Sequence, residues 1–330
     1  MPTQIRLKKK PLANQLLEWE VTQSECPEIS EGQVKLRVEY ISIDPGMMGW
    51  IAAKKSYMPA INEGDVMRAF GVGEVVESRS EKFAVGDFAA GFTGVQTEAV
   101  AGPMSLLRAV DPKAAPLSHY LSGLGWPAFT GYFGMTDIGQ PQSGETVVVS
   151  GAAGAVGSIA CQVAKIAGAR VIGIAGGEKK CSLLTERYGV DAAIDYKRQP
   201  VAEGLQAHCP DGIDIYFDNV GGETLDAAIY QMKYKGRLVI CGAISQYENM
   251  DGAVGPRNYM QLVSHSLRMQ GYTMKDYFRR IPEAERALGE WFAAGKLEFE
   301  EHILDGIESF PEAFKMIFAG KNFGKLMIKV

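Results

Sequence analysis

The sequence predicts an α/β fold: a doubly wound parallel sheet combined with a smaller β-barrel-like domain. Three observations carry that expectation. Val147-Val148-Val149-Ser150-Gly151-Ala152-Ala153-Gly154-Ala155-Val156-Gly157 runs from a β-branched strand through a glycine-rich turn into a helix. From about residue 124 onward, strand and helix patterns alternate, which implies parallel strands with crossover helices. Before that point the chain reads as short strands separated by frequent Gly and Pro turns.

The first βαβ unit is legible in detail. Val156, Ile159, Ala160, Val163, Ala164 and Ala167 recur at helical spacing and give the helix one apolar face. Gly168 stands where a helix end favours a left-handed residue, and residues 170–175 form the returning strand. Further strands are expected at 192–195, 213–218, 237–241 and 267–274, with helices at 181–188, 224–232 and 282–294. Six strands complete a doubly wound domain over residues 124–298. Residues 1–123 hold the barrel-like strands, among them 33–40, 70–77 and 88–92. The tail, 299–330, contains Ile303-Leu304, a helix start at Phe310-Pro311-Glu312 and a closing strand near Leu326-Met327-Ile328. It is expected to return to the first domain.

Composition bounds the function. A chain of 330 residues exceeds what one core usually supports, so two domains are expected. Its 46% hydrophobic and 22% charged residues are those of an ordinary globular protein. A net charge of −5 without a basic stripe argues against nucleic acid as a partner. No apolar run reaches the ~18 residues that a membrane span needs, and no signal-peptide core opens the chain. Cys26, Cys161, Cys181, Cys209 and Cys241 are odd in number and unpaired in spacing, which fits a reducing cytoplasm.

The glycine turn points to a dinucleotide. Backbone N–H groups at a helix start, approached closely through glycine, suit a pyrophosphate. Relative to the G-x-G-x-x-G pattern, Ala152 takes the first place while Gly154 and Gly157 keep the other two. Ala153, Gly154, Ala155, Val156 and Gly157 are the expected contacts. A glycine turn alone also serves ordinary tight turns, so the strand and helix on either side carry the inference. After the second strand an NAD site would place an acid against the ribose 2′-OH. This chain has Gly176-Gly177-Glu178-Lys179-Lys180 there. The glycines leave room for a 2′-phosphate and the lysines supply charge-assisted bonds, so NADP(H) is favoured. Glu178 is expected to point outward at its helix start.

Several segments together resemble the medium-chain dehydrogenase/reductase superfamily, in its zinc-independent branch of leukotriene hydroxydehydrogenase/prostaglandin reductases and bacterial enone or curcumin reductases. They are Ile43-Asp44-Pro45, 150–157, Lys180-Cys181, Asp195-Tyr196-Lys197, Tyr216-Phe217-Asp218-Asn219-Val220-Gly221-Gly222, 240–247 and Asn322-Phe323-Gly324-Lys325. The resemblance spans essentially the whole chain. It implies a Rossmann domain inserted in a GroES-like catalytic domain, with NADPH in the cleft between them. It further implies that Lys180 and Tyr196 meet the 2′-phosphate beside Gly177. Asn219 and Gly221 would meet the cofactor after the fourth strand. Cys241, Gly242, Ala243, Ser245 and Tyr247 would line its nicotinamide side, with Cys241 a packed residue rather than a nucleophile. Asn322 would reach back from the tail.

Zinc is not expected. Ser42-Ile43-Asp44 and Gly71-Val72-Gly73-Glu74 lack the thiolate and imidazole ligands of zinc alcohol dehydrogenases. Conjugate reduction of an enone then fits: hydride goes to the β-carbon and charge develops on the carbonyl oxygen, where hydrogen-bond donors act. Tyr247 is the first candidate donor; packing on the cofactor is its alternative role. Tyr57 is a second candidate, and Tyr259 is a further pocket residue. Met48 occupies the place where the family usually has arginine, which predicts neutral, more apolar substrates, with Trp50 extending the apolar wall. Quinone reduction, alcohol oxidation and a non-catalytic NADPH sensor stay open as alternatives. The sixth strand would be an exposed sheet edge, so a homodimer through it is expected.

Overall fold

The computed structural model describes the chain apart from residues 12–16 and 53–57, and apart from the side chains of residues 52 and 249–251. Tyr57 therefore lies outside the described residues. The rest falls into two units: Met1–Ser122 with Glu301–Val330, and Gly123–Glu300.

In the first unit, β1 (Thr3–Lys9) and β2 (Glu18–Gln23) pair as an antiparallel hairpin. The main sheet uses β3 (Val34–Ser42), β4 (Phe70–Ser78), β5 (Phe88–Phe92), β6 (Glu98–Ala101) and β7 (Arg108–Val110). Numbered in chain order, the tail adds β14 (Glu301–Asp305) and β15 (Lys325–Lys329). The order is β14-β15-β3-β4-β5-β7, with β6 pairing β3. This is the GroES-like β-domain, and the tail returns to it through β15, antiparallel to β3. Alternating Val34, Leu36 and Val38 turn inward along β3, as a one-sided strand requires. After β3 comes α1 (Gly46–Ala52), a short helix with Met47, Met48, Trp50 and Ile51 buried. No hairpin is expected here from the sequence, because β2 buries little and gives a weak pattern; Trp19 fixes it, edge-on to Phe310 and Phe314 of the tail helix.

The second unit is a Rossmann-type sheet. Its strands are β8 (Thr146–Ser150), β9 (Arg170–Ala175), β10 (Ala192–Asp195), β11 (Ile213–Asp218), β12 (Met232–Ile240) and β13 (Arg268–Gly271). All pairs are parallel in the order β10-β9-β8-β11-β12-β13. The chain order reverses between β8 and β11, so ligands are expected beyond the carboxyl ends of those two strands. Val147, Val148 and Val149 are fully buried, as a strand covered on both faces should be. The helices are α2 (Trp126–Phe133), α3 (Ala155–Ile166), α4 (Glu178–Ser182), α5 (Val201–His208), α6 (Gly222–Tyr230), α7 (Gln261–Ser264) and α8 (Ile281–Ala293). Gly131 lets α2 lie close on α3, since a Cβ there would stand 2.8 Å from the Val156 carbonyl.

Several boundaries differ from expectation. The expected helix at 181–188 starts earlier, as α4, and passes into a wide turn over Leu183–Arg187. The expected helix at 224–232 is α6, shifted two residues back, because Met232 is already strand. β12 is longer than 237–241; it continues through Lys235, whose left-handed φ of 63° permits an irregularity in the strand. The expected strand at 267–274 stops at Gly271, where Tyr272 turns its hydroxyl onto the Thr130 carbonyl and Asp276 caps the next turn. Among the described residues, no helix is long and apolar enough to cross a membrane.

Candidate cofactor and active site

The glycine turn is built by sterics. Gly151, with φ of 58°, makes the left-handed bend that the pattern assigned to the Ala152 position. Ala152 instead packs beneath the turn, fully buried, its amide donating to the Ile174 carbonyl. Gly154 caps α3. At Gly157 a Cβ would stand 2.3 Å from the Gly151 carbonyl oxygen, which only glycine tolerates. The turn therefore folds flat against the start of α3.

Three loops meet at the carboxyl ends of β8, β11 and β12. Asn219 donates its amide N–H to Ser150 Oγ at 2.9 Å and its Nδ2 to the Ser150 carbonyl at 2.7 Å. Ile244 and Ser245 donate their amides to the carbonyls of Asn219 and Val220, and Ser245 Oγ donates to Val220 at 2.6 Å. Gly221 lies against Ala243, where a Cβ would come within 2.8 Å of the alanine methyl. Tyr247 folds back over the same loop: its hydroxyl accepts the Ala243 amide at 3.2 Å and lies over Gly242. Thus Asn219, Gly221, Gly242, Ala243, Ser245 and Tyr247 form one constellation with the glycine turn. Cys241 sits beneath it, its thiol pushed up to about 12 by burial. A thiol so raised is a packed group and not a nucleophile at neutral pH.

A second cluster stands at the ends of β9 and β10. The Tyr196 ring lies over Gly176, where a Cβ would approach its hydroxyl to 2.6 Å, and the residue is half exposed. Asp195 holds the turn by accepting the amides of Gly177 and Lys197 at 2.8 and 3.0 Å. These bonds, led by Gly177, hold the Asp195 carboxyl below its ordinary value. Lys180 is pulled below the ordinary lysine value, first by burial and second by the charge of Lys197. The charge of Lys197 thus acts on Lys180 beside the turn of Gly176 and Gly177. Glu178 points outward to Arg198 at 2.8 Å. Lys197 is a residue that sequence reasoning left out of the site; its adjacency to Tyr196 after a strand end was the available signal. Ser150 and Asp218 were likewise passed over, although a carboxylate ending a buried strand signals a local network.

Tyr259 is exposed on the turn into α7, beside the equally exposed Met260 and Val263. In the first unit Met48 and Trp50 are buried, and the Trp50 ring meets Phe92 edge-on and carries Arg68 over its face at 5.6 Å. Asn322, also in the first unit, donates its Nδ2 to Gly324 at 2.8 Å. Among the described residues no three His, Cys, Asp or Glu side chains gather as a metal-holding set.

Comparison with known proteins agrees with this architecture. A family model for the N-terminal domain of oxidoreductases matches residues 3–109, and a model called zinc-binding dehydrogenase matches residues 155–291. The NADPH-dependent curcumin reductase of Escherichia coli is 40% identical over 305 residues, covering 91% of this chain and 88% of the relative. The NADP-dependent 2-alkenal reductase of Nicotiana tabacum is 39% identical over 293 residues, covering 88% and 85%. The crystal structure of CurA with NADPH from Vibrio vulnificus superposes with a TM-score of 0.92 at 38% identity, covering 99% of each chain. With this fold, these loops and these relatives, the chain belongs to the zinc-independent branch of the medium-chain dehydrogenase/reductase family.

Proposed function

We propose that this protein is an NADPH-dependent reductase of the C=C double bond in α,β-unsaturated ketones and aldehydes, working without a metal. It is an NADP-dependent oxidoreductase. The observation that carries the finer reading is the Tyr247 hydroxyl folded over the interlocked loops beyond β8, β11 and β12, while the charge of Lys197 acting on Lys180 favours a phosphorylated cofactor. The relatives named for curcumin and 2-alkenal reduction support the choice of enones.

Bound NADPH supplies hydride to the β-carbon of the substrate. The chain's own task is to hold the substrate carbonyl and stabilise the charge that develops on its oxygen. Tyr247 is the donor for that oxygen. Its hydroxyl accepts the Ala243 amide, and a hydroxyl that accepts one bond is a stronger donor through its own hydrogen. The α-carbon takes its proton from solvent.

The test is NADPH oxidation against a medium-chain 2-enal, an aryl enone, a curcuminoid and a benzoquinone, with NADH alongside. Enal or enone turnover with strong NADPH preference is expected. Tyr247→Phe should lower enone turnover about 10²-fold, the effect of losing one oxyanion donor, and leave quinone turnover within about twofold. Equal loss on both substrates removes the oxyanion role; quinone-only turnover in the unaltered protein replaces enone reduction with quinone reduction.

We further propose a homodimer in the cytoplasm, assembled through β13. That strand is the sheet's outer edge, and Tyr259, Met260 and Val263 stand exposed on the segment leading to it. Light scattering on eluted protein should give twice the chain mass; a monomeric mass at micromolar concentration overturns it.

A further inference from the structure

The four-donor coordination of Asp218 is not accounted for by the reaction. This aspartate ends β11 with 1% of its surface exposed. Its Oδ1 accepts four hydrogen bonds: Ser150 Oγ at 2.9 Å, the Tyr216 hydroxyl at 3.0 Å, and the amides of Val220 and Gly221 at 3.1 and 3.0 Å. Its Oδ2 is buried and has no partner among the described residues. Its main-chain carbonyl accepts two more amides, from Cys241 at 2.9 Å and Gly242 at 3.0 Å. One residue thus reaches all three loops that bound the glycine turn. Ser150 ends β8, Val220 and Gly221 follow β11, and Cys241 and Gly242 follow β12.

We propose that Asp218 is a positioning residue for the dinucleotide. Its Oδ1 clamps the loops after β8 and β11, and its carbonyl clamps the loop after β12, so that their backbones are preset for the cofactor. The proposal rests on reading these loops as the NADPH site. Ser150 extends the clamp, because its hydroxyl donates to Oδ1 while accepting the Asn219 amide. The asymmetry of the carboxylate makes the claim specific. Every donor falls on one oxygen, so an acceptor at Oδ1 is required and a negative charge is not. Burial, which raises the carboxyl above its ordinary value against the four bonds, is consistent with that requirement. Asparagine meets it, with its carbonyl at the Oδ1 position and its NH2 at the place of the unpartnered oxygen. Leucine fills the same volume and offers no acceptor.

The experiment measures NADPH dissociation constants by nicotinamide fluorescence on the full chain, with KM and kcat read separately. Asp218→Leu should weaken NADPH at least about tenfold, the loss expected when buried donors are left unmet, and show it in KM more than in kcat. Asp218→Asn should restore affinity to within about threefold of the unaltered protein. If the leucine variant does not fold, Ser150→Ala decides in its place: it removes the Ser150 donor to Oδ1 together with the acceptor for the Asn219 amide, leaves the other three donors, and should weaken NADPH severalfold. An Asn variant as weak as the Leu variant, or as weak as Ser150→Ala where Leu does not fold, overturns the proposal, because charge would then matter. Unchanged affinity in the substituted variant that folds overturns it as well. Gly157→Ala separates the underlying reading. If it weakens NADPH while Asp218→Leu does not, only the clamp falls; if neither weakens it, these loops are not the cofactor site.

Discussion

At the scale of single residues, Lys180 and Lys197 are the side chains we propose for distinguishing a phosphorylated from an unphosphorylated cofactor. Burial first, and the neighbouring ammonium of Lys197 second, both lower Lys180 by disfavouring its charged form. Lys180→Ala should weaken NADPH roughly ten- to hundredfold, the worth of a charge-assisted bond, while NADH stays within about twofold. The pH dependence has a defined sign. A lysine whose value is lowered loses its proton earlier on the way to high pH. Affinity for NADPH should therefore fall as pH rises above neutrality, at lower pH than an ordinary lysine would allow, and the NADH curve should stay flat. Titrating both cofactors between pH 7 and 10, with Lys180→Ala as reference, checks it. A flat NADPH curve, or one that Lys180→Ala still shows, removes the assignment. The outward Glu178 was legible from sequence because an acid at a helix start complements the dipole without turning inward. Lys197 and Asp218 were not, since their roles depend on which strand ends lie side by side.

At the scale of elements, the βαβ unit was the most legible part because several signals coincide there. A triple valine, a glycine turn, a helical apolar face and a left-handed Gly168 (φ 83°) all point one way. The structure alters one detail: the bend belongs to Gly151, and Ala152 is a packed residue. Gly157 packs directly on the turn after β8. A single methyl there would meet the Gly151 carbonyl and the Ala152 Cα at 2.3 and 2.8 Å, both of them backbone atoms unable to rotate away. Gly157→Ala should therefore cost about 1–3 kcal/mol as overpacking, with thermal unfolding and NADPH affinity both falling. Unchanged melting would mean that α3 can slide outward from β8. Other boundaries were less legible for a physical reason. Lys233-Tyr234-Lys235-Gly236 has the composition of a turn, yet the chain carries it as an irregular stretch of β12, fixed at its two ends by Met232 pairing Ile213 and Arg237 pairing Ile215 and Arg268, which no local pattern encodes.

At the scale of the whole chain, the tail was expected to return to the first domain, and a buried ion pair shows what secures it there. Lys325, on β15, is 2% exposed. Its Nζ donates to Asp44 Oδ1 at 2.6 Å and to the Ile43 carbonyl at 2.9 Å, just before α1. Two segments quoted separately for their resemblance, Ile43-Asp44-Pro45 and Asn322-Phe323-Gly324-Lys325, are thus two sides of one contact, 281 residues apart. No sequence pattern announces that pairing, because a lone lysine near a chain end reads as solvated. Removing one partner strands the other charge. Lys325→Met should cost about 3 kcal/mol, the lower end for a buried pair because Asp44 keeps some contact with water. Adding Asp44→Leu to that variant should recover part of the loss, since two apolar groups leave no buried charge unmet. Denaturant unfolding of the two single variants and the double closes the cycle. Strictly additive losses would mean that the ammonium acts through the Ile43 carbonyl, and that the tail is held by a hydrogen bond to the backbone instead of by the pair.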